Sequence, residues 1–159
     1  MSLLSRRDFA AGLAGSAVLA GCSTLGAPAG PAPRLFYLGQ AKVFTCDPGG
    51  NAASTLVDEA PKDGSRAAGV NDGIAIHAAT GQIFWTNMGR AADRDGYITR
   101  CEKDGSNVTP VVKKGDTFTP KQLKIDESAG KLYWSDREGM AIQRCNLDGS
   151  HLEDRKSVV

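Results

Sequence analysis

Hydrophobic and polar positions recur along the chain in one order, at a spacing of almost 50 residues. GIAIHAATGQIFWTN (73 to 87) aligns with QLKIDESAGKLYWSD (122 to 136) at an offset of 49 residues. The apolar positions, the glycine ahead of the aromatic pair and the polar pair behind it all coincide. A weaker copy is Leu35-Phe36-Tyr37-Leu38-Gly39, whose Tyr37 lies 48 residues before Trp85, as Trp85 lies 49 before Trp134. The second half of the unit repeats too, as VFTCDPGGN (43 to 51), ITRCEKDGS (98 to 106) and IQRCNLDGS (142 to 150).

Each unit reads as a meander of short strands. Leu132-Tyr133-Trp134 and Ile83-Phe84-Trp85 are apolar on both alternating faces, as a strand must be when its sheet lies between two others. Asp104-Gly105, Asp148-Gly149 and Gly49-Gly50 fall between strand-like runs, where a hairpin needs positive φ. Gly73-Ile74-Ala75-Ile76 and Leu123-Lys124-Ile125 precede the turns Thr80-Gly81 and Ala129-Gly130 and predict an inner strand. Four strands per period is the unit of a β-propeller blade, so the fold class is all-β.

Tyr133-Trp134-Ser135-Asp136, Phe84-Trp85-Thr86-Asn87, Ile142-Gln143-Arg144 and Asn146-Leu147-Asp148-Gly149-Ser150 carry a resemblance. They resemble the YWTD repeat of low-density-lipoprotein-receptor type propellers, in the form seen in bacterial secreted and lipid-anchored proteins. The likeness covers about 34 to 153 and implies a six-bladed propeller, with Trp85, Tyr133, Trp134, Asp136, Cys46, Cys101 and Cys145 in the repeat core. Leu38-Gly39 departs from the pattern, standing where it has Thr-Asp.

Six such units need roughly 300 residues to close a ring. Residues 34 to 153 supply at most three, so the expectation is a chain cut to its first two to three blades, with open sheet edges that invite self-association. In the repeat, Val111 and Val112 are the sixth and seventh residues after Gly105, but Arg155 and Lys156 take those places after Gly149. The strand pattern is therefore expected to fail from about Asp154. Residues 154 to 159 can be encoded by GAT CGG AAG AGC GTC GTG, which matches a sequencing adaptor, so this tail is expected to be non-native.

The N-terminus changes the picture in another way. Arg6 and Arg7 precede an apolar run of 12 residues, Ala10 to Gly21, too short for the roughly 20 residues of a membrane-spanning helix. A charged start, a short apolar run and small residues before a cysteine predict an export signal over 1 to 21. Arg6-Arg7-Asp8-Phe9 resembles the twin-arginine signal, although Ala10 and Ala11 stand where that signal usually has leucine and lysine. Leu19-Ala20-Gly21-Cys22 resembles the lipobox of bacterial lipoproteins, which implies acylation of Cys22 and a periplasm-facing protein anchored to a bacterial membrane through its N-terminal lipid. Residues 22 to 33 are a Pro/Ala/Gly tether. Removing the signal removes Arg6, Arg7 and Asp8 and leaves 17 basic and 17 acidic side chains of the original 19 and 18. A mature charge near zero argues against nucleic acid as a partner and against a polybasic membrane patch.

Candidate chemistry is sparse. Cys46, Cys101 and Cys145 share one repeat position, and equivalent positions on neighbouring sheets lie about 10 Å apart. A disulfide needs Cα atoms within about 7 Å, so these three are expected to be core residues. His77 stands where the next copy has Asp126, directly before a turn, and reads as a turn residue. The chain contains no G-x-S-x-G, no H-E-x-x-H and no G-x-G-x-x-G after a strand, the signatures of serine hydrolases, zincins and dinucleotide-dependent dehydrogenases. Asn71-Asp72-Gly73 resembles the segment of regucalcin and gluconolactonase propellers that binds a divalent metal, which makes Asn71 and Asp72 the candidate ligands of a metal-dependent lactonase. Arg34-Leu35-Phe36-Tyr37 lacks the glutamate such enzymes use, and Asp72 and Gly73 also suit a purely structural turn. The loop from 87 to 96 is longer than its counterpart at Arg137-Glu138-Gly139; its alternating charges offer a surface to a partner, with an ordinary solvated loop as the default reading. The reading is a non-catalytic binding or scaffolding module without a cofactor, whose partner is a protein or another envelope ligand.

Overall fold

A computed structural model describes residues 32–63 and 69–157. The export signal with Arg6 and Arg7, the lipidation candidate Cys22 and most of the tether lie outside the described residues, as do Val158 and Val159. Three antiparallel sheets follow one another along the chain, and the described residues contain no helix. The first holds β1 (Leu35–Leu38), β2 (Lys42–Cys46) and β3 (Ser54–Asp58). The second holds β4 (Asn71–Ile76), β5 (Ile83–Asn87), β6 (Gly96–Cys101) and β7 (Thr109–Thr117). The third holds β8 (Pro120–Asp126), β9 (Lys131–Asp136), β10 (Ala141–Asn146) and β11 (Glu153–Ser157). Each sheet is a simple meander in which sequential strands pair, the arrangement of propeller blades.

The core lies in the two seams between sheets. Val43, Val57, Ile83, Trp85 and Cys101 fill the first, with Phe36 and Ile74 packed against them. Phe84, Ile98, Val111, Leu123, Leu132, Trp134 and Cys145 fill the second. Neighbouring residues Phe84 and Trp85 thus serve opposite seams, which is why β5 is buried at every position. On the third sheet Ile142 is 48% exposed, whereas its repeat equivalents Ile98 and Val43 are 0% exposed inside the seams.

Glycines set how closely the sheets approach. The hairpins after β6 and β10 put Gly105 at φ +85° and Gly149 at φ +88°, as their Asp-Gly pairs predict. A Cβ on Gly105 would lie 2.5 Å from the Leu56 carbonyl oxygen, and one on Gly149 only 2.1 Å from that of Val111. Each hairpin therefore seats its glycine on the last strand of the preceding sheet. Gly50, at φ +82° in the first sheet, meets nothing within 4 Å.

Three expectations change. Among the described residues the first sheet has three strands instead of four: β1 to β3 match β5 to β7, and no described strand matches the inner strands β4 and β8. Asp72 lies inside β4 and not in a turn, and Gly73 is small because a Cβ there would come within 2.6 Å of the Leu123 backbone nitrogen on β8. Finally, the strand pattern does not fail at Asp154, because β11 runs from Glu153 to Ser157 and pairs with β10. An outermost strand needs only one ladder and no apolar face, and charged residues suit such an edge.

Candidate functional site

Side-chain hydrogen bonds tie each seam at the repeated tryptophan. Trp85 Nε1 donates to Glu59 Oε2 at 2.8 Å, just beyond β3, and Trp134 Nε1 donates to Thr117 Oγ1 at 3.2 Å, at the end of β7. Trp134 also donates to Gln143 Oε1 on its own sheet at 3.1 Å. Asp136, 4% exposed, accepts from Thr117 Oγ1 and the backbone nitrogens of Phe118, Thr119 and Gly139 at 2.7 to 3.0 Å. Burial pushes the Asp136 carboxyl upward, but these four donors outweigh it and hold the group below the usual carboxylate value. Tyr133 receives Arg144 Nη1 at 3.1 Å on its hydroxyl. Cys46, Cys101 and Cys145 are buried free thiols. Burial drives Cys101 up to about 11 and Cys145 to about 12.

The candidate metal pair is engaged in holding strands together. Asn71 is buried, and its Oδ1 accepts from Asn87 Nδ2 at 2.9 Å across β4 and β5. Its Nδ2 has no hydrogen-bond partner. Asp72 pairs with Lys121 Nζ at 3.1 Å and accepts from the Gln122 backbone nitrogen at 3.3 Å, joining β4 to β8. Among the described residues no group of three His, Cys, Asp or Glu side chains converges. His77 contacts Thr80 Oγ1 at 2.8 Å within its turn and Glu127 Oε2 at 3.1 Å on the next sheet.

The long loop leads to a feature that neither other sheet has. Gly96 pairs with Thr117 and Ile98 with Val112, so Tyr97 alone faces the four residues 113 to 116. β7 therefore bows outward there, at Gly115 with φ +96°. Arg94 pins the bulge: its Nε donates to the Gly115 carbonyl at 2.8 Å, its own carbonyl accepts from Gly115 nitrogen at 3.1 Å, and its guanidinium lies 4.7 Å over the Phe118 ring. Under the bulge is a crevice of about 430 Å³. Pro110 and Val112 form its apolar wall, Tyr97 and Glu59 its polar side, and Lys113 and Lys114 also line it. Burial raises the Glu59 carboxyl even against the Trp85 hydrogen bond, and it pushes the Tyr97 hydroxyl up to about 12 with help from the Glu59 and Asp95 charges. The Lys114 ammonium lies 5.4 Å over the Tyr97 ring. The sequence singled out the long loop, with a solvated loop as its default reading, and the crevice was not foreseen. Its signal was a glycine inside a strand-like run, the mark of a bulge.

No family model matches the chain. The 3-hydroxyacyl-CoA dehydrogenase-like protein LAM1 of Cochliobolus heterostrophus is 46% identical over 82 residues, covering 52% of this chain and 17% of that protein. Low-density lipoprotein receptor-related protein 1 of Pyricularia oryzae is 36% identical over 115 residues, 70% of this chain and 35% of that protein. Protein cueball of Drosophila sechellia is 28% identical over 123 residues, 76% of this chain and 17% of that protein. The chain thus spans about a third or less of each of these relatives. Among solved structures, a nidogen/laminin complex matches with TM-score 0.60 at 18% identity, over 76% of this chain and 43% of the other. A luciferin-regenerating enzyme matches with TM-score 0.61 at 11% identity, over 84% and 45%. At such identities these two likenesses show the fold alone. The chain is a partial β-propeller with YWTD-type repeats whose relatives include low-density lipoprotein receptor-related proteins and cueball.

Proposed function

We propose that the chain is a non-catalytic binding or scaffolding module, exported and held on a bacterial membrane by a lipid on Cys22, with a protein as its partner. The observation that carries this reading is the use made of Asn71 and Asp72. Their side chains join β4 to β5 and β8, so a metal would have to displace the Lys121 pair and the Asn87 bond before it could activate water. The relatives named for the low-density lipoprotein receptor support a binding role. The dehydrogenase-like relative matches over only 17% of its own length, and this chain carries no dinucleotide-binding glycine motif.

The competing reading, a metal-dependent lactonase, is tested directly. Ca²⁺, Mg²⁺, Mn²⁺ or Zn²⁺ is added to the purified protein while thermal midpoint and hydrolysis of a sugar lactone are followed. Neither should change. A metal-dependent rise in both, lost in Asp72→Ala, would replace the binding reading with the hydrolase. The anchor is tested separately by palmitate labelling in a bacterial host, which should vanish in Cys22→Ala; persistent labelling would disprove that assignment.

A further inference from the structure

The bulge in β7 has no counterpart in the other two sheets, and it opens the crevice over Tyr97. Bulges of this kind bend a strand and re-aim its side chains. Here the conformation rests on Gly115 and on the three contacts of Arg94, so the space is held open by built features and not by a loose edge. Its volume, about 430 Å³, lies within the usual range of ligand sites.

The chemistry of the lining selects among occupants. Of the charged side chains that line the crevice, Lys113 and Lys114 are exposed and outnumber Glu59, which is within reach of the Lys114 charge, while Asp95 acts on Tyr97 from beyond the lining. The ammonium groups at the mouth are what an incoming anionic group meets first. A basic segment would meet two like charges. Nucleic acid would require an array of phosphate contacts, and two lysines do not supply one. Glu59 gives Oε2 to Trp85, which leaves Oε1 as an acceptor for a neutral donor such as a peptide N–H. Pro110 and Val112 add an apolar wall.

We propose, resting on the binding-module reading, that this crevice docks a short acidic segment of a protein partner. A carboxylate of the segment sits between Lys113 and Lys114, a neighbouring apolar side chain lies on Pro110 and Val112, and a main-chain N–H reaches Glu59.

The test is fluorescence anisotropy of the purified chain with two labelled peptide pools, equal in length and apolar content, one acidic and one basic. The acidic pool should bind and the basic pool should not. Lys113→Ala/Lys114→Ala should weaken acidic binding by about tenfold or more, as expected for loss of charge-assisted hydrogen bonds. Lys103→Ala/Lys124→Ala, at two other exposed positions, should leave it unchanged. All four lysines are exposed, so circular dichroism should show both double variants folded. Equal binding of the two pools, equal loss in both double variants, or no loss in the first would overturn the proposal. Competition by N-acetylglutamate as strong as by the acidic peptides would also overturn it, since the site would then hold a small anion. A failure of this kind removes the crevice and leaves the binding module standing, whereas metal-dependent lactone turnover would remove the module itself.

Discussion

Gly50, Gly105 and Gly149 occupy one repeat position, share nearly one φ (+82°, +85°, +88°) and differ in what lies beyond them. Replacing each with alanine separates the conformational cost of the hairpin from the cost of stacking one sheet on another. A side chain at positive φ costs about 1–2 kcal/mol wherever it stands, and Gly50→Ala should lose only that, since nothing lies within 4 Å of the added methyl. At Gly149 the methyl would begin 2.1 Å from the Val111 oxygen, where ordinary contact starts at 3.4 Å. The obstacle is backbone on the neighbouring sheet, so relief means moving one sheet away from the other by about 1 Å. Overpacking of this kind adds about 1–3 kcal/mol, which brings Gly149→Ala to about 2–5 kcal/mol. Gly105→Ala, at 2.5 Å from the Leu56 oxygen, should fall between. Urea unfolding followed by tryptophan fluorescence and far-UV circular dichroism gives the three values, provided the two probes coincide. Equal losses for all three variants, or the largest loss at Gly50, would show that the hairpin glycines do not set the spacing of the sheets.

Other outcomes follow from the same geometry. Ala52, Asn107 and His151 lie two residues after these glycines at φ 50°, 53° and 53°. Because alanine tolerates that region poorly, Ala52→Asn should raise stability by about 0.5–1 kcal/mol in the same urea assay. Glu59 and Asp136 give opposite pH dependences. The raised Glu59 holds its proton in the folded chain while the unfolded chain has lost it, so stability falls as pH rises from the ordinary carboxyl value through that of Glu59, and Glu59→Gln should abolish this fall. The depressed Asp136 contributes stability that is present above the ordinary carboxylate value and lost as pH falls through its own lower one, so Asp136→Asn should flatten the acid limb of the midpoint-against-pH curve. Iodoacetamide at mildly alkaline pH should leave Cys101 and Cys145 unmodified in the folded chain and label them in urea, read by peptide mass spectrometry, because their thiols ionise only near 11 and 12.

The sheets were legible in the sequence because their strands are apolar on both faces. A strand such as Ile83-Phe84-Trp85 has no polar face to give to water, so the pattern itself required a sheet on either side, and Phe84 and Trp85 do enter different seams. The hairpins were legible because Asp-Gly leaves few alternatives. What could not be read were features decided by the partner strand. Asp72 looks like a turn former locally, but Lys121 stands across from it on β8, as Asn87 does from Asn71 on β5, and those partners hold the pair in β4. Arg155 and Lys156 look unfit for a strand by the Val111-Val112 template, yet Lys156 pairs with Ile142 of β10 and Arg155 is the extra residue of a bulge beside it, because the last strand of a meander pairs on one side only and tolerates both.

The same distinction explains why the candidate site was missed while the scaffold was found. Repetition reveals positions that copies share: the tryptophan of the second and third that reaches the preceding sheet, the hairpin glycine that in those two lies on it, and the buried cysteine of all three. A binding feature is by nature something one copy has and its neighbours lack. In β7 the added length from Lys113 to Asp116 breaks register with β6 and faces Tyr97 alone. Its side chains therefore have no equivalents in β3 or β11 against which an alignment could set them. Once the repeated contacts are assigned to holding the sheets together, the unrepeated ones stand out: the bulge, Arg94 that pins it, and Glu59 with Tyr97 beneath it. In a scaffold built by repetition, departures from the repeat are where selective recognition can be built without loosening the stack.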